Sequence, residues 1–187
     1  MKSGKIAIVI AAAFMFGLQP CSAAPAGSAD KSGIRQRICG TLKARVNLLS
    51  RLVSDYEKQY KNGSLSGMPL LIAKTQLYKS ELMMMKAEAG LAPEPGIAIA
   101  VVEFYAAAAC AKELQKRFTR GNMALSTLLN AQLQANNAEL KYLTLLQQCS
   151  RPEVMESVRK KMPPFDPGKK LDAKLLRELF EAELKAK

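Results

Sequence analysis

From Lys31 to Tyr60 the apolar residues fall at Ile34, Ile38, Leu42, Val46, Leu49, Val53, Tyr56 and Tyr60. Steps of three and four predict one long amphipathic helix. Asn62 and Gly63 stop it, and a second helix starts near Pro69, a favoured first-turn residue, and runs to Ala89. The run Gly90-Leu91-Ala92-Pro93-Glu94-Pro95-Gly96 is a hard break. A third helix is expected from Ile97 to Phe118, ending before Arg120-Gly121, and a fourth from Ala124 to Gln148. A short helix from Pro152 to Met162 is cut by Pro163-Pro164-Phe165-Asp166-Pro167-Gly168. A last helix, Leu171 to Leu184, gathers Leu171, Leu175, Leu176, Leu179, Phe180 and Leu184 on one side. That side either docks on the preceding helices or holds a partner. No apolar-polar alternation at period two marks a strand, so the fold class is all-α.

The pattern also repeats. Sliding the chain by 58 residues sets Gly63 on Gly121, Leu70 and Leu71 on Leu128 and Leu129, Ala73 on Ala131, Gln76 on Gln134, and Glu81 on Glu139. An aromatic precedes each glycine by three residues, Tyr60 in one copy and Phe118 in the other. The unit is helix, glycine turn, helix, made twice. Shifting the first helix's seam by 58 gives Ala100, Phe104, Ala107, Ala111, Leu114 and Phe118, so large residues of helix one can face a mostly alanine helix three. The expectation is an up-down-up-down four-helix bundle of two hairpins over 33–150, with 151–187 adding the short helix, the Pro-rich linker and the C-terminal amphipathic helix. The run from Ile97 to Ala111 is apolar almost all round, which implies burial, while Glu103 and its short length argue against a membrane span.

Ahead of the helices, Lys2 and Lys5 precede an uncharged apolar run from Ile6 to Leu18 and the small residues Cys21, Ser22, Ala23 and Ala24. This reads as a signal peptide over 1–23, cleaved after Ala23, with 24–32 a flexible linker, and it places the mature chain in the periplasm. Leu18-Gln19-Pro20-Cys21 also resembles the end of a lipoprotein signal, which leaves lipidation of Cys21 open. A leader bearing only Lys2 and Lys5 takes just two charges from the formal +12, so the mature chain stays basic. Its lysines and arginines are spread over every segment without interleaved aromatics, which favours a solvated basic surface over a nucleic-acid partner.

The absence of histidine changes the picture more than the charge does. It removes the usual general base at neutral pH and the commonest transition-metal ligand together. No Glu-x-x-His pair marks a di-iron bundle and no glycine-rich phosphate loop follows a strand. Met83, Met84 and Met85 are soft ligands, yet successive helical residues point about 100 degrees apart and do not converge on one ion. The expectation is a protein without catalytic residues, metal or cofactor.

Three cysteines follow the leader, Cys39, Cys110 and Cys149. In an oxidising compartment one pair is expected. Both glycine turns share one end of an up-down bundle, so heights count back from the turns. Cys39 and Cys149 then stand at about 33 and 37 Å, whereas Cys110 stands at about 14 Å. Cys39 and Cys149 are the expected disulfide, leaving Cys110 a buried thiol among alanines.

The repeated pattern, aromatic-x-x-Gly, then Leu-Leu-x-Ala and glutamine, then Ser80 or Ala138 before Glu-Leu, resembles the helical-hairpin repeat of TolC-type outer-membrane efflux proteins. In that family each chain carries two such hairpins. The glycine turns lie at the periplasmic tip of an α-helical tunnel, where an adaptor's hairpin engages them. The resemblance implies a partner-binding tip of Asn62, Gly63, Leu65, Arg120, Gly121 and Met123. Family members are more than twice this length and insert strands of an outer-membrane barrel, where this chain has only Leu91 to Gly96. The resemblance therefore implies a cut-down hairpin pair that acts by protein-protein interaction in envelope transport or secretion. An envelope or efflux-adaptor protein is the implied partner, with peripheral outer-membrane association and oligomerisation left open. An unrelated periplasmic helical binding or chaperone-like module is the alternative.

Overall fold

The computed structural model describes residues 31–186, all-α, with no strand among them. The expected signal peptide, Cys21 and all but the end of the linker lie outside the described residues. The helices are α1 Lys31–Lys61, α2 Gly67–Glu88, α3 Ile97–Thr119, α4 Leu125–Gln147, α5 Pro152–Arg159 and α6 Ala173–Ala186. No described helix is long and apolar enough to cross a membrane.

Three helices end by one device. At the ends of α1, α2 and α3, Gly63, Gly90 and Gly121 take φ of 72, 79 and 74°, a region that only glycine enters without strain. After each, two amide groups fold back on the last turn: Ser64 N–H to Gln59 O and Gly63 N–H to Tyr60 O in the first, Asn122 to Arg117 and Gly121 to Phe118 in the third. Leu91 N–H to Lys86 O and Gly90 N–H to Ala87 O repeat it at α2. Carbonyls that a helix end would orphan are thereby satisfied. Arg35, reaching over from α1, adds bonds to Ala87 O and Glu88 O.

Each helix packs on its chain neighbour in the order α1, α2, α3, α4, and α6 lies on both α2 and α3. α2 and the start of α3 are therefore the centre. Leu70, Leu82 and the unbroken run Ile97 to Val102 are buried there, joined by Val53, Tyr142, Met155, Leu176 and Leu179. The all-round apolar character of early α3 matches its position between α2, α4 and α6. The alanines of α3 are not the seat of α1, which lies on α2. α6 docks inward, but one residue differs from the apolar count: Leu184 is exposed and Glu183 is buried.

Glu183 is turned inward by Lys86, whose ammonium lies 2.7 Å from its Oε1 and also donates to Glu94 O. The amide of Ala98 donates to the other carboxylate oxygen. A Cβ at Gly96 would collide with both charged groups, so any larger residue there would have to push the Lys86–Glu183 pair aside. A second buried ammonium, that of Lys74, donates to Pro167 O at 2.7 Å and Lys169 O at 2.8 Å and pairs with Glu57 at 3.0 Å. The Pro-rich segment is thus clamped to α2. Tyr78 Oη accepts from the Leu171 amide, and its ring meets Phe165 edge-on.

A third tie spans α2, α3 and α4, where Glu103 pairs with Lys79 and with Lys141, the latter at 2.8 Å. Burial raises its pKa, but the bonds from Lys141 and Lys79 outweigh that and hold it below the ordinary 4.5.

The expected Cys39–Cys149 disulfide is not formed. Equal height is not enough: α1 is seated on α2 and α4 on α3 and α5, so the two cysteines belong to opposite flanks. Cys149 packs against the main core and its thiol donates to Leu145 O. Cys39 and Cys110 are half-buried thiols, and burial pushes the Cys110 pKa up.

Removing one partner of the buried pair should be costly. Glu183→Ala leaves the Lys86 ammonium buried without its carboxylate and should destabilise by about 3–5 kcal/mol in urea unfolding, with Lys86→Met/Glu183→Leu recovering most of the loss. Because the Glu103 pKa is lowered on folding, its contribution is present above pH 4.5 and is lost as pH falls through the folded value. Glu103→Gln should accordingly flatten the acid limb of a stability-versus-pH curve while changing the fold little.

Candidate functional site

The resemblance-derived tip residues fall on the two hairpin turns, and these share one end of the molecule. Met68, just inside α2, packs in a small cluster with Phe118, Met123, Leu114 and Leu128. Asn62, Gly63, Arg120 and Gly121 are exposed, with nothing near either glycine's absent Cβ. Leu65 and Met123 are half-buried, Leu65 on the main core and Met123 in the small one. The matched glycines have a purely local cause in helix termination, since Gly90, outside the repeat, does the same.

A larger feature lies along α4. Its inner face is made of Leu128, Ala131, Ala135, Ala138 and Tyr142, all buried or half-buried, and the small side chains let α4 lie close on α3. Its outer face carries Leu125, Leu129, Leu133, Leu140 and Leu143, of which Leu133 and Leu140 are 57% and 62% exposed. From Leu129 the outward positions run Leu129, Leu133, Asn136, Leu140, Leu143, in steps of four and three, the spacing of a coiled-coil seam. Glu139 and Lys141 are the charged residues of α4, in a chain of formal charge +12. By contrast α1 carries Lys31, Arg35, Arg37, Lys43, Arg45 and Arg51 before its first acid, Asp55.

The third feature is a groove of about 620 Å³ between α3 and the clamped Pro-rich segment. Phe104, Tyr105, Ala108 and Ala109 form its α3 wall, Leu71 closes it from α2, and Phe165 faces Tyr105 with ring centroids 5.9 Å apart. Lys112 and Lys116 continue the α3 wall one and two turns further on, and Lys169 lines the opposite side. At the aromatic end Tyr105 Oη donates to Arg159 O. The Arg159 guanidinium there is held by Glu156 at 2.8 Å and lies over the Tyr142 ring, 5.6 Å from its centroid. Tyr142 Oη donates to the same carboxylate. The Arg159 bonds, against a smaller effect of burial, keep Glu156 ionised below the usual carboxylate range. Burial first, and then the Glu156 charge, pushes the Tyr142 phenol well above its ordinary value.

Neither the leucine face nor the groove was among the residues the sequence singled out as a site. The outward leucines have a legible signal in Ala131, Ala135 and Ala138, which repeat at the same spacing between them, so one helix carries two packing faces. The groove needs the Pro-rich segment folded back onto α3, which no local pattern encodes. Among the described residues no group of three or more histidine, cysteine, aspartate or glutamate side chains could hold a metal ion. No family model, curated protein or solved structure matches this chain.

Proposed function

We propose that this protein is a non-enzymatic helical interaction module of the cell envelope, two up-down hairpins whose α4 packs on a helix of an envelope or efflux-adaptor protein. The observation that carries the reading is the outer face of α4, Leu129, Leu133, Leu140 and Leu143 in coiled-coil spacing and solvent-exposed. Leucines at this density on a surface are a recognition feature, because scattered surface apolar residues do not keep a seam. An apolar, nearly uncharged stripe selects its partner by shape and burial, while the rest of a basic surface keeps like-charged proteins away. In this reading the exposed tip residues Asn62 and Arg120 are a second contact, as the resemblance to efflux-channel hairpins implies, and the signal peptide expected over 1–23 would place the chain in the periplasm.

Photo-crosslinking in cells tests it. A photoreactive residue at position 133 or 140 should give a discrete adduct with an envelope protein, and one at the exposed position 43 on α1 should not. Leu133→Glu/Leu140→Glu should abolish the adduct from position 129 while leaving helicity and melting temperature nearly unchanged, since both side chains are largely in water already. Asn62→Ala/Arg120→Ala should weaken the same adduct. Adducts only between copies of this chain, or equal labelling from position 43, would overturn the proposal.

A further inference from the structure

The groove between α3 and the Pro-rich segment is graded in polarity along its length. The α3 wall runs from Phe104 and Tyr105 through Ala108 and Ala109 to Lys112 and Lys116, twelve residues and about 18 Å of helix. It exists because α3 carries Ala108 and Ala109 on this face. Larger side chains there would fill the space under Phe165. Its volume of about 620 Å³ lies within the ordinary range of small-molecule sites, about 300–1,000 Å³.

The cations are not equivalent. Arg159, at the aromatic end, is already held by Glu156. At the other end Lys112 and Lys169 have no carboxylate within ion-pair distance among the described residues, while Glu113, also on the lining, pairs with Lys116 at 3.8 Å and with Arg117 at 3.9 Å. Lys74, seven residues into α2 from the tip end, holds the Lys169 carbonyl, and Lys112 stands seven residues before the end of α3. Lys112 on α3 and Lys169 on the Pro-rich segment thus stand on opposite walls of one groove, with the Lys169 backbone anchored to α2 at the level of Lys74. The Asp166 carboxylate, also on the lining, accepts the Gly168 amide instead of pairing with either lysine.

We propose that this groove binds a single-chain fatty carboxylate, its tail against Phe104, Tyr105 and Phe165 and its head between Lys112 and Lys169. Apolar walls at one end and uncommitted cations at the other complement a ligand with the same gradient reversed in charge. The site is separate from the outer face of α4 and stands whether or not that face binds a partner.

Isothermal titration of the full chain with dodecanoate below its micellar concentration should show one site. Dodecanol should bind at least about tenfold more weakly, the loss expected when charge-assisted hydrogen bonds are removed. Lys112→Glu/Lys169→Glu should cut dodecanoate affinity by about tenfold or more and leave dodecanol binding unchanged. Ala108→Phe, an exposed substitution that fills the groove, should block both ligands with the circular dichroism melt unaltered. The proposal is overturned if dodecanoate shows no saturable binding, if dodecanol binds equally, or if both variants bind as the unaltered chain does. Tighter binding of a lauroyl lysophospholipid, or displacement of dodecanoate by an acidic peptide, would also reject the carboxylate assignment.

Discussion

Two ammonium groups buried on α2 govern how the rest of the chain is arranged. Lys74 and Lys86 stand twelve residues apart, about 18 Å along one helix, and both are nearly inaccessible to water. A buried charge without partners is among the most expensive things a protein can contain. Residues from the C-terminal segment complete both sites: the carbonyls of Pro167 and Lys169 for one, the Glu183 carboxylate for the other. The segment after α5 is therefore integral to the fold. Its docking also explains Gly96, since the backbone between α2 and α3 passes where the Lys86–Glu183 pair leaves no room for a Cβ.

That constraint separates what was legible in the sequence from what was not. Helix existence and limits follow from periodicity and from glycine and proline, and the three glycine-terminated ends fall within a residue or two of expectation. The neighbours of each helix did not follow. The apolar seam of α1 fits an alanine-rich partner well, yet hairpin geometry seats α1 on α2, and the covering of α2 and α3 is completed by α6. The expected Cys39–Cys149 bridge failed for the same reason, because it needed a ring of four helices closed on itself. Glu183 was hidden in another way. By pattern it is a polar residue beside an apolar stripe, and only Lys86, 97 residues away in the chain, turns it inward.

The tips illustrate how a repeated motif can have a local cause. Gly63 and Gly121 recur at matched positions, and their conformation is the one that ends a helix with its last carbonyls satisfied. Gly90 does the same where there is no repeat, so the glycines alone do not distinguish a binding tip from a turn. The partner residues Leu65 and Met123 are partly spent on internal packing. Asn62 and Arg120 are the tip side chains that remain in water.

Alanine is the residue through which packing and recognition meet. On α4, Ala131, Ala135 and Ala138 face α3 and let the two helices approach closely, while Leu129, Leu133, Leu140 and Leu143 are left on the outside. On α3, alanines beyond Phe104 face the Pro-rich segment across a gap, and the space that larger residues would occupy becomes the groove. The same small side chain thus closes one interface and opens another, according to whether the opposing backbone can move in. Between α3 and α4 a short turn and the Lys79–Glu103–Lys141 tie allow it. Opposite the groove, Lys74 fixes the Pro-rich segment to α2 at Pro167 and Lys169, and prolines at 163, 164 and 167 stiffen the span between. A segment pinned to α2 and stiffened by proline does not collapse onto α3, so the groove persists where a flexible loop would have filled it.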